Sequence, residues 1–142
     1  MAYTIKKVDV WVCDISNRPG TLARNLKVLA DSGASLEFVI ARRVNDDMSR
    51  AFFAPIKSKK QQSAAAQTGL RKAEGMHALR IEGPDKPGLG ALLTHAIGEA
   101  GINLRGLSAA ALGKRSVCYA AFATAGDAQN AAKIAKKALS KK

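Results

Sequence analysis

Apolar positions along the chain alternate, then recur at helical spacing, then alternate again, and the series runs twice. Trp11, Cys13 and Ile15 share one face of residues 8–15, and Leu79 and Ile81 hold matching places in residues 77–83. A period of two predicts a strand at each. Leu22, Leu26 and Leu29 then recur at helical spacing, as do Leu89, Leu93, Ala96, Ile97 and Ala100. Gly33 and Gly101 end these helices, since glycine takes the left-handed cap conformation freely. Second strands are predicted at 36–44 and 103–112, followed by turns at Asn45-Asp46-Asp47 and Gly113-Lys114-Arg115. Third strands fall at 50–56 and 116–122. A closing helix is expected near 61–73 and near 127–139. The later one is clear, with Ala128, Ala131, Ala132, Ala135, Ala138 and Leu139 around Ile134, whereas the earlier one is polar and carries Gly69.

The two series are copies of one unit. Residues 16–23 lie over 84–91 at an offset of 68, and Pro19/Pro87, Gly20/Gly88, Ala23/Ala91, Gly33/Gly101 and Leu36/Leu104 coincide without a gap. Two units result, 1–74 and 75–142, each reading β-α-β-β-α. Antiparallel strands with helices on one face make an α+β two-layer sandwich of ferredoxin-like type. Such a unit ends with a fourth strand, and none is evident: only Glu74-Gly75-Met76 separates the first closing helix from the next strand. Residues 77–83 then serve both units, or the units pair elsewhere to cover the vacant edge, because a bare edge invites aggregation. The expectation is that the two sheets join, or that a second chain completes them.

Between first strand and first helix, both copies place an Asn or Asp, a basic residue, then Pro-Gly: Asn17-Arg18-Pro19-Gly20-Thr21-Leu22 and Asp85-Lys86-Pro87-Gly88-Leu89. This turn, with the junctions Gly33-Ala34-Ser35-Leu36 and Gly101-Ile102-Asn103-Leu104, resembles the ACT domain over roughly residues 7–73 and 76–140. The resemblance implies a non-enzymatic regulatory module that binds an amino acid or similar effector between paired domains. It also implies a homodimer and a separate regulated protein, since no catalytic or DNA-binding domain is attached. The ligand residues it points to are Asn17, Arg18, Pro19, Gly20, Thr21, Leu22 and Ser35 in one copy. In the other they are Asp85, Lys86, Pro87, Gly88, Leu89, Gly90 and Asn103. The physics of the loop agrees. Proline fixes φ and lacks an amide hydrogen, glycine lets backbone approach a ligand, and the amides opening a helix favour a carboxylate. Asn17 and Asp85 either accept from an α-ammonium group or cap the turn.

Composition narrows the alternatives. Of 142 residues, 47% are apolar and 24% charged, as in ordinary globular domains. No apolar run approaches the ~20 residues of a membrane helix, and the N-terminus lacks a signal-peptide core. A cytoplasmic protein without membrane contact is expected. Lys and Arg number 23 against 11 Asp and Glu, for a net charge of +12. The excess divides evenly: residues 1–75 hold 13 basic and 7 acidic, residues 76–142 hold 10 and 4, and part sits in a tail of Lys133, Lys136, Lys137, Lys141 and Lys142. Such a charge makes nucleic acid the main rival partner. Lys57-Ser58-Lys59-Lys60, Arg42-Arg43 and the tail are the candidate phosphate contacts. Against it, neither third strand carries the RNA-binding signature of a ferredoxin-like sheet, and aromatics are only 5% of the chain, leaving few stacking platforms. Trp11, Phe38, Phe52, Phe53, Tyr119 and Phe122 are read as core. No cofactor is expected: the dinucleotide fingerprint fails at Leu93, no phosphate loop occurs, and His77, His95, Cys13 and Cys118 lack metal-ligand spacing. Both cysteines fall on strand patterns and are read as small buried groups.

Overall fold

The computed structural model describes residues 2–140; Met1 and the last two lysines of the basic tail, Lys141 and Lys142, lie outside the described residues. The chain runs β1 (Thr4–Val8), β2 (Trp11–Ser16), α1 (Thr21–Asp31), β3 (Phe38–Arg43), β4 (Met48–Ala54), α2 (Lys59–Gln67) and β5 (Arg71–Lys72). It continues β6 (His77–Pro84), α3 (Leu89–Glu99), β7 (Gly106–Leu112), β8 (Arg115–Phe122) and α4 (Ala125–Ser140). Asp9–Ala73 forms a continuous unit, and residues 2–8 join residues 74–140 in a split unit. The division expected at 74/75 thus misplaces residues 2–8. Their strand hydrogen-bonds to β6, so they belong with the second copy.

In the continuous unit the sheet order is β3-β4-β2-β5, all antiparallel. Trp11 lies opposite Phe53 and Cys13 opposite Ala51. These residues form one core with Leu29 of α1, Ala65 of α2, Ile56 and Leu70. The expected helix over 61–73 is two elements instead. α2 starts at Lys59, where the Ser58 hydroxyl accepts the Gln61 amide at 3.1 Å, and it ends at Gln67. Gly69 then turns left-handed at φ +83°, which carries Leu70 into the core and sends Arg71 and Lys72 back along β2 opposite Val12 and Trp11. This two-residue strand is the missing fourth strand.

In the split unit the order is β1-β6-β8-β7, again antiparallel. Here the fourth strand comes from the other end of the chain. β1 pairs with β6 from Thr4 opposite Glu82 to Val8 opposite Ala78. Each sheet is therefore filled to four strands by this chain itself, and β6 serves only one of them. The core gathers Leu79, Ile81, Cys118, Ala120 and Phe122 from the sheet, Leu93 and Ile97 from α3, and Ala128, Ala131 and Ala135 from α4. Small alanines on α4 let that helix lie close against the sheet. Trp11, Phe53, Tyr119 and Phe122 are buried as expected, while Phe38 and Phe52 are half-buried. Among the described residues, no helix is long and apolar enough to cross a membrane.

Candidate functional site

The two Pro-Gly loops adopt the same backbone course. Gly20 and Gly88 both sit at the N-cap of their helix in the left-handed region, with φ of +90° and +85°. Neither α1 nor α3 receives a side-chain cap. In each, one first-turn amide folds back on the basic residue's carbonyl: Thr21 N–H to Arg18 O at 3.4 Å, Leu89 N–H to Lys86 O at 3.2 Å. The next two amides, of Leu22 and Ala23 or of Gly90 and Ala91, have no intrahelical acceptor by the geometry of a helix start. Each loop is tied to the hairpin turn beside it. Asn17 N–H donates to Asp47 O at 2.9 Å, and Asp85 N–H donates to Lys114 O at 2.8 Å.

Beyond the backbone the copies diverge. The Asn17 side chain donates to Asp46 O at 3.0 Å, and the Thr21 hydroxyl donates to Ser16 O at 2.7 Å. The Asn17 amide and the Thr21 hydroxyl are thus committed to the loop and the hairpin turn beside it, and residues 16–20 are exposed. In the other copy, Leu89 replaces the threonine and a cleft of about 270 Å³ opens beside the turn. Lys86, Pro87, Gly88 and Leu89 form one wall, Leu92 and Leu139 come from α3 and α4, and Tyr3 closes the base. Tyr3 is held there by two contacts. Its hydroxyl donates to Pro84 O at 2.8 Å, and its ring lies on Gly83, where no side chain intervenes. The continuous unit has no such shelf: its fourth strand stops opposite Val12, and Ile15 stands at the position equivalent to Gly83.

The remaining sequence candidates lie around rather than in this cleft. Asp85 and Gly90 are exposed beside it, and Ser35 and Asn103 are exposed in the segments that lead from each first helix to the next strand. Tyr3, Leu92 and Leu139 were missed. Leu92 and Leu139 read as ordinary helix positions, and nothing near Tyr3 in sequence links it to a loop eighty residues away. A smaller cleft of about 130 Å³ lies along β1 and α4, bounded by Ile5, Lys7 and Gln129, away from either Pro-Gly loop.

Charges around the two loops also differ. Asp46 and Asp47 flank the first loop, whereas Lys114 and Arg115 flank the second. Arg115 pairs with Glu82, and among the described residues Lys86 is the one charged residue lining the larger of the two clefts. In the continuous unit Arg50 makes a two-pronged contact with Asp14, Nε to Oδ1 at 2.7 Å. The Arg50 hydrogen bond holds the Asp14 carboxyl below its usual range. His95 is solvated, 3.8 Å from Glu99. Among the described residues, no three His, Cys, Asp or Glu side chains gather as a metal site.

No protein-family model matches the sequence, and no curated protein sequence matches it. Solved structures do match. The protein BT0572 of Bacteroides thetaiotaomicron aligns with a TM-score of 0.77 at 16% identity, covering 93% of this chain and 90% of that one. The ligand-free regulatory subunit of aspartate kinase from Thermus thermophilus aligns with a TM-score of 0.68 at 16% identity, covering 97% of both chains. Escherichia coli aspartokinase III, in complex with aspartate and ADP, aligns with a TM-score of 0.60 at 13% identity over 98% of this chain and 33% of the enzyme. The fold is that of ferredoxin-like α+β units in tandem.

Proposed function

We propose that this protein is a non-enzymatic regulator that binds a small effector, an amino acid, through a Pro-Gly loop and passes the binding event to a separate protein. The observation that carries the reading is the cleft against Pro87-Gly88 in the split unit. A lysine and an apolar base stand together there, beside the uncapped start of α3, and an amino acid presents a carboxylate beside a side chain of matching size. At about 270 Å³ the cleft falls just below the ~300–1,000 Å³ of sites for drug-sized ligands, which suits a ligand of about ten heavy atoms better than a nucleotide. The matched regulatory subunits of aspartate kinase support a regulatory role for this architecture. A homodimer is the proposed working form, and the regulated partner is a different chain, because ligand binding acts only through a state that something else reads.

Mass spectrometry of the denatured purified protein, followed by calorimetric titration with the twenty amino acids, tests this. A copurified amino acid, or saturable heat from one, is the expected result. No heat from any amino acid, with nucleic acid bound in a strongly salt-dependent way, would replace it with the nucleic-acid reading. That rival has lost ground in the fold, since four of the six strand aromatics are buried and offer no ring face to a base.

A further inference from the structure

Resting on the effector-binding reading above, we infer that the chain binds one effector, not two, and that this effector has an apolar, branched or aromatic side chain. The base is the Tyr3 ring, whose hydroxyl is already committed to Pro84 O at 2.8 Å, so it presents carbon to the cleft. Leu89, Leu92 and Leu139 supply the sides, and among the described residues Lys86 is the single charge. Leu92 is 45% exposed, a large apolar surface left open at the mouth, and covering it removes apolar area from water. A ligand with a charged side chain would have to lay that charge against hydrocarbon without a partner, which is costly. With the carboxylate at Lys86 and an apolar tail over Leu92, only the α-ammonium is left, and it stays in water at the exposed rim beside Asp85.

The single stoichiometry follows from the divergence of the two copies. In the continuous unit, the Thr21 hydroxyl is turned into its own loop at 2.7 Å from Ser16 O, and Asn17 is bound to Asp46 O. Its fourth strand stops opposite Val12, so nothing from it reaches Ile15 as Tyr3 reaches Gly83. That loop keeps the turn and lacks the walls.

Titration of the full chain with L-leucine, L-phenylalanine, L-aspartate and L-lysine tests both parts. Leucine or phenylalanine should bind at one per chain, with aspartate and lysine about tenfold weaker or more. Leu92→Glu and Lys86→Met, both on exposed positions, should each weaken binding by about tenfold or more, with circular dichroism unchanged. Arg18→Met, at the equivalent place in the other copy, should leave affinity within about twofold. Preference for aspartate or lysine at the same site overturns the apolar class and leaves the effector reading standing. Two equal sites, or loss of binding in Arg18→Met but not in Leu92→Glu, overturns the single-site assignment. Silence from all twenty amino acids takes down both this inference and the reading beneath it.

Discussion

The Tyr3 ring lies directly against the backbone of Gly83, so that a Cβ added at Gly83 would sit 2.8 Å from Tyr3 Cγ and Cε1 and nearer still to Cδ1. Backbone and a buried ring leave no room there, because Tyr3 is 8% exposed and tethered at its hydroxyl to Pro84 O. Gly83→Ala must therefore displace the ring or the strand. The expected loss is about 1–3 kcal/mol, as for other overpacked sites, read as a lower urea midpoint. Tyr3→Phe keeps the ring and removes one hydrogen bond, for a loss of about 1 kcal/mol. The two variants separate the steric role of this contact from its polar one.

β1 closes the split unit's sheet, and its removal would leave β6 as a bare edge. Ile5 also packs against that unit's core. A chain lacking residues 2–8 should lose hydrogen-exchange protection across β6 and associate at micromolar concentration through the exposed edge. The continuous unit contains none of those residues, so its β2 and β4 amides should stay protected. Equal loss of protection in both units would show that the split unit's closure is not local.

Most of the fold was legible because its signals are local. The alternation at Trp11, Cys13 and Ile15, the leucine spacing in α1 and the paired glycines each specify an element within about ten residues. Gly33 and Gly101 do adopt the left-handed turn, at φ +88° and +76°. What escaped was non-local. β1 is short and carries Lys6 and Lys7, and its partner lies some seventy residues downstream. β5 hid inside an apparent helix because two residues show no period. Asn25 gave no sign of its place in the sequence: a helix asparagine, it is buried and donates to Cys13 Sγ at 3.3 Å. The other copy has Leu93 and Ile81 at the equivalent places, so the fold accepts either a polar or an apolar pair there. The candidate loops were found from their own motif, but the cleft beside one of them depends on Tyr3, Leu92 and Leu139, which meet only in three dimensions.

Two glycines of the second loop play different parts. Gly88 has φ +85° with open space where a Cβ would go, so its requirement is conformational rather than steric. Gly88→Ala should cost roughly 1–2 kcal/mol, the penalty of an L-residue in the left-handed region. Gly90 lies in the first turn of α3, also beside open space and without a positive φ. Gly90→Ala should stabilise the protein by up to about 1 kcal/mol, since alanine favours helix. Thermal unfolding of both variants checks the opposite signs.

Both thiols are buried, and burial raises both: Cys13 above its ordinary 9.0, and Cys118 from 9.0 to about 11. At pH 8 neither is a thiolate, so the native protein should react with iodoacetamide far more slowly than the same chain in 6 M urea. The shift also sets a direction for stability against pH. An acid harder to ionise in the folded chain than in the unfolded one leaves stability untouched below 9.0, where both states are protonated. As pH rises past 9.0 the unfolded chain ionises first and gains, until the folded Cys118 ionises near 11 and the loss levels off. Cys118→Ala deletes that titration, though it also leaves a small cavity that lowers stability at every pH. Urea midpoints at pH 7.5 and 10 should therefore fall less with rising pH in Cys118→Ala than in the parent chain, whatever the offset between the two proteins. Equal falls would mean that the Cys118 thiolate is accommodated in the core of the split unit.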